Sequence, residues 1–387
     1  MMKSKILFYT SGVGLGGVER VILEILKLID KDKFDIKLAL QYENENLFEN
    51  EIPKKIDYKY MLPLKIINKS LYYRERKKNL FFKVLYSLNL IYEKYIIKKN
   101  YLEFSKDRDI VIDFKSGDFL KLITLNKNSK KICWIHSEVT KLNRYSQRKE
   151  KLRKYLKDID KIVCICNEMK DNFIVEMPEY KDKIGVIYNP FDIEKIIKKA
   201  DEIENLSLDD KKRLNEDYII MVSRLELKMK DFICLIKAYE IFNKKNREIK
   251  LYLLGDGPDK EKIEQEIKNR ELTKNIILLG KRNNPYPWIK NSKLLIHSSK
   301  SEGFGLVLVE ALVLNKKVLS TNCKVGPKEI LENGKYGILI KVGDYKMMAL
   351  EMEKQLSNEN KIDYKEAVER FEGKKIISEI EKLIEKL

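Results

Sequence analysis

Two glutamates, Glu302 and Glu310, stand eight residues apart in SSKSEGFGLVLVEALVLNKKVLS, residues 298–320, around a Gly303-Phe304-Gly305 turn that leads into an apolar run. If a helix begins near Gly305, Glu302 lies just before its amino end and Glu310 roughly 7 Å along its axis, at ~1.5 Å per residue. The N–H groups of Phe304, Gly305 and Leu306 then point at an anion, helped by the helix dipole. Glycine on both sides of Phe304 lets the backbone approach a phosphate closely. A carboxylate does not bind phosphate, so Glu302 and Glu310 are expected to take hydroxyl groups flanking it. A sugar on one side and a ribose on the other satisfy both, which describes a nucleotide-sugar. The plainer alternative is an ordinary helix start with an acidic cap and one solvated glutamate.

A pair of cations strengthens the first reading. In MVSRLELKMKDF, residues 221–232, Arg224 and Lys230 follow a strand-like run at its carboxyl end. Arg offers a planar fork and Lys a compact charge, together suited to a diphosphate. In a chain with 78 Lys+Arg they are also readable as ordinary surface residues. Two more turn-rich loops, LLGDGPDK and LLGKRNNPYPWIKN, fall on the same edge, where the backbone at Lys281 and Arg282 is positioned to read a base.

Near the start, TSGVGLGGVER carries Gly12, Gly14 and Gly17 at the G-x-G-x-x-G spacing of a dinucleotide turn. That fingerprint expects an acidic residue about 20 positions further on, at the end of the second strand. Here the second strand ends near Gln41, and Glu43 lies 26 residues beyond Gly17. The carboxylate and cation pairs also lie in the other half of the chain. A nicotinamide oxidoreductase is therefore the weaker reading.

These residues need a scaffold, and the hydrophobic pattern supplies one. KILFYTS, FDIKLALQ, DIVIDF, KICWIH, KIVCIC and IGVIYN alternate with amphipathic stretches such as VERVILEILKLID. The pattern restarts with DYIIMVS, EIKLYLLG, NIILLG, KLLIHS, KKVLST and YGILI. Continuous apolar strands separated by helices predict parallel sheets covered on both faces. A polar, strand-free stretch near 190–216 marks the boundary. The expected fold is α/β, with two doubly wound, Rossmann-like domains facing each other across a cleft. The expected domains are 1–200 and 201–370, with a C-terminal helix at about 371–387 returning to the first.

Composition narrows the partners. The 387 residues hold 78 Lys+Arg against 60 Asp+Glu, a net charge of +18. An anionic partner follows, either a phosphorylated substrate or an acidic surface, unless the whole surface is simply basic. Segment 64–100 concentrates ten Lys/Arg against two Glu among many Tyr, Phe, Leu and Ile. It reads as helical and amphipathic, able to lie on an anionic membrane or grip a lipid-linked substrate, or as ordinary surface helices with snorkelling lysines. No module signature supports nucleic acid. No apolar run approaches the ~20 residues of a membrane span, and MMKSKILFYTS reads as a first strand rather than a signal peptide. Five cysteines show no disulfide or zinc pattern, and Cys164 and Cys166 read as buried small hydrophobes on one strand face. With two histidines, a metal site is not expected, and a cytoplasmic location is the default.

GGVER, WIHSE, VIYNP, SRLELKMKDF, GDGP, NPYPWIKNSKLLIHSSKSEGFGLVLVEAL and GPKEILENGKYGILI occur in the order typical of one enzyme group. The chain resembles the retaining glycosyltransferases of family four, with the GT-B fold, especially those building bacterial capsule, lipopolysaccharide and lipid-linked glycans. The resemblance implies transfer of a sugar from a nucleotide diphosphate donor, chiefly UDP-linked, to a lipid-linked or glycan acceptor. It implies no metal, and front-face attack in which the departing phosphate takes the acceptor proton. Residue by residue, Glu302 matches the glutamate on the transferred sugar and Glu310 the one on the ribose hydroxyls. Arg224 and Lys230 match the cations on the diphosphate, with Lys228 a possible substitute for Lys230 because Asp231 stands where glycine is common. Phe304 to Leu306, with Gly303, match backbone donors. His136 matches an active-site histidine of the first domain, and Gly16 and Gly17 match a loop that leaves room for the donor. A GT-B-like sugar-nucleotide epimerase and a non-catalytic polyanion-binding protein remain as alternatives.

Overall fold

The computed structural model describes residues 3–14, 16–43, 48–138, 145–358 and 363–387. Seven parallel strands form the first sheet: β1 (Ser4–Thr10), β2 (Phe34–Tyr42), β3 (Asp57–Leu62), β4 (Ile110–Asp113), β5 (Lys130–Ile135), β6 (Lys161–Cys164) and β7 (Ile184–Val186). Their order is β3-β2-β1-β4-β5-β6-β7. Six parallel strands form the second: β8 (Tyr218–Val222), β9 (Lys250–Leu254), β10 (Ile276–Gly280), β11 (Leu294–His297), β12 (Val318–Thr321) and β13 (Ile338–Ile340), in the order β10-β9-β8-β11-β12-β13. Each is the doubly wound sheet that the apolar runs predict. In each, the strand order reverses between neighbours, at β1/β4 and at β8/β11. Loops leaving the carboxyl ends of those strands diverge there and open a crevice.

The chain divides into two compact units, Met1–Pro190 with Gly373–Leu387, and Phe191–Glu372. The division falls ten residues before the expected boundary, because the Ile193–Ala200 helix packs with the second unit. That helix buries Ile196 and Ala200, and Asn284 Nδ2 donates to Lys199 O at 2.7 Å. The Gly373–Glu385 helix packs with the first unit. Its Ile376, Ile377, Ile380 and Ile384 form one buried stripe at helical spacing against α1 (Gly17–Leu28). Glu381 fixes the contact by accepting the Asp30 N–H at 3.0 Å.

In the second unit, the Phe232–Asn243 helix buries Phe232, Leu235, Ile236 and Tyr239 against Ile219, Met221, Leu251 and Leu253 of β8 and β9. Each such side chain contributes about 1.5–3 kcal/mol on leaving water. This core holds the carboxyl ends of β8 and β11 level with one another. Cys164 and Cys166 are both fully buried. No described helix is long and apolar enough to cross a membrane.

Candidate active site

The loops after β8 and β11 are sewn together by backbone and side-chain bonds. Lys230 and Ser299 form an antiparallel bridge. Asp231 N–H donates to Ser298 O at 2.9 Å, and Lys300 N–H donates to Met229 O at 2.9 Å. Ser298 Oγ returns a bond to Asp231 O at 2.9 Å. This stitching sets Lys230, rather than Lys228, against Glu302, and the two form an ion pair with side chains only 16% and 12% exposed.

Glu302 is held through one oxygen. Its Oε1 accepts from Lys230 Nζ, from Ser299 Oγ at 2.6 Å and from the ring Nε2 of His297 at 2.8 Å. No other protein group among the described residues holds Oε2. Burial opposes ionisation of Glu302, but the Lys230 ammonium and the His297 ring outweigh it and hold the carboxyl well below the usual range. For His297 burial dominates over the pull of Glu302 and lowers its pKa, so the ring is neutral at pH 7.

Immediately after Glu302, Gly305 takes φ 99° and ψ 55° and caps the Leu306–Val313 helix. The left-handed backbone is available at low cost only to glycine. The helix begins where the sequence places it, and the N–H groups of Gly305 and Leu306 donate to no acceptor among the described residues. Gly326, at φ 98°, lies so close that a Cβ there would sit 1.9 Å from Phe304 O. The loop after β12 therefore buttresses this turn from behind. Glu310, one and a half turns into the helix, is 6% exposed, and Tyr286 Oη donates to its Oε1 at 3.4 Å.

The remaining predicted residues of this unit are less engaged. Arg224 projects from the loop after β8 with its side chain 70% exposed, its nearest charge Glu226 Oε2 at 3.9 Å. Its loop is fixed from β9, since Leu225 N–H donates to Asp256 O of the GDGP turn at 3.0 Å. Lys281 is exposed, while Arg282 turns back to Asp210 at 2.9 Å.

In the first unit, Asp113 ends β4 fully buried and organises the loop that follows. Its carboxylate accepts the N–H groups of Lys115 at 2.9 Å and Phe119 at 2.7 Å, and burial pushes its pKa up to about 7. Within that loop Ser116 Oγ accepts the His136 N–H at 2.9 Å. The His136 ring lies 4.4 Å from the Phe114 ring, and its buried Nε2 has no hydrogen-bond partner among the described residues. Burial, reinforced by Lys115, pushes its pKa down to about 3, so this ring too is neutral. The start of α1 meets the loop after β4. Lys115 Nζ pairs with Glu19 Oε1 at 2.7 Å, and a Cβ on Gly16 would meet Glu19 Oε2 at 2.0 Å. The atom met there is the far end of the flexible Glu19 side chain, and Gly16 itself is exposed. Gly17 opens α1 and is exposed.

Residues 202–371 match the family described as glycosyl transferases group 1. An uncharacterized glycosyltransferase of Methanocaldococcus jannaschii is 30% identical over 364 residues, covering 82% of this chain and 88% of that protein. The chain belongs to the glycosyl transferases group 1 family. Within it, the N-acetylgalactosamine-N,N'-diacetylbacillosaminyl-diphospho-undecaprenol 4-alpha-N-acetylgalactosaminyltransferase of Campylobacter jejuni is 33% identical over 166 residues, 43% of this chain and 42% of that protein. Among solved structures, Anabaena Alr3699/HepE in complex with UDP and glucose shares the fold, with a TM-score of 0.77, 19% identity and coverage of 99% and 100%. This group 1 chain thus has the two-domain GT-B architecture that its motifs imply.

For a group 1 glycosyltransferase, the sequence reading missed two contributors. His297 reads as the polar end of a core strand, and Ser299 as a loop serine. The clue lay in register: parallel pairing of β11 with β12 sets His297 opposite Ser320, 23 residues on. His297 Nδ1 and Ser320 Oγ are 2.9 Å apart. Among the described residues, no group of three or more His, Cys, Asp or Glu side chains is placed to hold a metal ion.

Proposed function

We propose that this chain is a retaining, metal-independent glycosyltransferase of family four. It would move a sugar from a nucleoside diphosphate donor, UDP above the others, to a hydroxyl of a lipid-linked or glycan acceptor in surface polysaccharide synthesis. The observation that carries the proposal is the Lys230–Glu302 pair beside the unclaimed N–H groups that begin the Leu306–Val313 helix. Cations and a helix dipole suit a diphosphate, and the free Oε2 of Glu302 suits a sugar hydroxyl. The printed names of relatives support the donor and acceptor classes: one solved structure carries UDP and glucose, and one relative acts on a diphospho-undecaprenol-linked substrate.

In the reaction, the sugar C1–O bond to the diphosphate breaks and a C1–O bond to the acceptor forms on the same face. The acceptor proton passes to the departing phosphate oxygen. Charge therefore builds on the diphosphate, and Lys230, Arg224 and the Gly305 and Leu306 N–H groups would stabilise it without a metal. Glu310 would hold ribose hydroxyls, and the backbone at Lys281 and Arg282 would face the base. His136 offers a neutral, unclaimed Nε2 to a ligand hydroxyl. Gly16 and Gly17, both exposed, would leave room for the donor.

We also propose that helices α2 (Leu64–Glu75) and α3 (Leu80–Phe104) meet an anionic membrane. This hairpin is inside out: α2 buries no side chain, and the first five turns of α3 bury only Asn89. Asn89 donates to Ser70 Oγ at 2.7 Å, and Ser70 bonds Glu93, so the helices join through polar groups. Phe81, Val84, Leu88, Ile91 and Tyr95, three or four residues apart, are 51–65% exposed. Ten Lys/Arg against two Glu accompany them between 64 and 100. An acidic bilayer surface satisfies both the apolar stripe and the charge. The protein would then work in the cytoplasm, against the inner face of the cell membrane.

Thermal shift against UDP, GDP, ADP and NAD, followed by donor hydrolysis assays, tests the enzyme reading. UDP should stabilise the protein and a UDP-sugar should be slowly hydrolysed. Stabilisation by NAD alone, or by no nucleotide, contradicts it.

A further inference from the structure

We propose that His297 is the positioning residue for Glu302, holding Oε1 in place so that Oε2 stays on the donor sugar while Lys230 turns its charge to the diphosphate. The inference rests on the function proposed above and assigns a role to a residue for which the resemblance implies none.

The unliganded arrangement poses a problem that His297 resolves. Lys230 is needed twice: it neutralises a nearly buried carboxylate, and it would share the diphosphate with Arg224. When a dianionic ligand arrives, Lys230 must share its charge. Glu302 would then be left in a dry site with weakened compensation, free to rotate or take up a proton. Two donors remain on Oε1 whatever Lys230 does, Ser299 Oγ at 2.6 Å and His297 Nε2 at 2.8 Å.

Of these, His297 is the fixed one. Its ring is 1% exposed, it ends β11, and its far nitrogen lies 2.9 Å from Ser320 Oγ on the adjacent strand. The carboxylate accepts, so the proton sits on Nε2, and Nδ1 of the neutral ring is left to accept from the Ser320 hydroxyl, which turns to it from Thr321 O at 3.0 Å. Ser299 Oγ is itself 3.3 Å from His297 Nε2 and 3.2 Å from Lys230 Nζ, so its bonding changes with theirs. Ser320, His297 and Glu302 thus form a line from the sheet interior to the turn. A Cβ on Gly305 would lie 3.8 Å from the same Nε2, so the turn and the ring are neighbours in ordinary contact.

A positioning role and mere core hydrogen bonding give different results in one experiment. The chain holds only two histidines, which makes imidazole ¹⁵N NMR selective. In full-length wild type at pH 7, one ring should show a protonated, hydrogen-bonded Nε2 that disappears in His297→Gln and shifts in Glu302→Gln. This readout needs no turnover. Kinetically, His297→Leu should keep UDP affinity within about threefold yet lower kcat by about tenfold or more. His297→Gln, which can present an amide N–H near the Nε2 position, should recover most of that loss. A ring protonated on Nδ1 alone, an unaltered kcat in His297→Leu, or a loss that follows UDP affinity and is not rescued by Gln would each overturn the inference. If wild type turns over no nucleotide-sugar while the NMR signal persists, the enzyme reading has failed, and the donor role of His297 with it.

Discussion

Lys230 and Glu302, 72 residues apart in the chain, meet as a nearly buried ion pair where the loops after β8 and β11 cross. Among the described residues neither has another full charge of opposite sign against it, so removing one exposes the other to the cost of burial. Arg224, six residues before Lys230, has no such constraint because its side chain is 70% exposed.

The two cations should therefore separate in experiment. Lys230→Met should lower unfolding free energy by about 1–3 kcal/mol, because Glu302 keeps only neutral donors, and should also weaken UDP binding. Arg224→Ala should leave urea denaturation unchanged and weaken UDP binding about tenfold, or ~1.4 kcal/mol. Equal stability of the two variants would contradict the buried pair.

Gly326 tests the turn at 303–305 from a residue far from it in sequence. With φ 98° and only 1.9 Å from a built Cβ to Phe304 O, Gly326→Ala must displace backbone rather than a flexible side chain. A stability loss of more than ~1 kcal/mol is expected, with weakened UDP affinity. Normal UDP titration by the folded variant would show that the turn does not face the nucleotide.

The histidines predict an acid sensitivity. Burial lowers both pKa values, that of His136 to about 3. As pH falls below the unfolded value of about 6.5, the unfolded chain takes up protons that the folded chain refuses, so stability falls, by up to ~1.4 kcal/mol per pH unit for each proton. Glu302 acts later: its ionised form is favoured in the fold, so its contribution is full above its unfolded pKa, about 4.3, and wanes as the solution becomes more acid. His136→Gln should flatten the decline between pH 6 and pH 4, roughly by half. An unchanged slope in urea titrations at those pH values contradicts the assignment.

For the α2–α3 hairpin, replacing Leu80, Phe81, Leu88 and Ile91 by Ser should abolish sedimentation with acidic liposomes. Thermal stability should hold, because none of these side chains is buried. Cosedimentation equal to wild type, or an equal preference for neutral liposomes, would contradict the membrane proposal.

How much of this was legible depends on what each residue touches. The buried strands announced themselves as apolar runs, because both faces of a parallel sheet are covered. β3 did not: DYKYML places Lys between tyrosines on an edge strand with a half-wet face. The Ile193–Ala200 helix was visible as polar, but its side of the boundary depends on packing with the 286–291 and 306–313 helices. Glu302 and the helix start were legible because a glycine turn before an apolar helix is a local signal. The preference for Lys230 over Lys228 rested on one bridge to Ser299, and the line from Ser320 to Glu302 on strand register. Neither is encoded at any fixed spacing.

The most direct test of the central claim is a crystal structure of the full chain with UDP. The diphosphate should lie within hydrogen-bond distance of Lys230 Nζ and of the Gly305 or Leu306 N–H, with the ribose toward Glu310. UDP bound away from that turn, or no UDP at saturating concentration, would contradict the account.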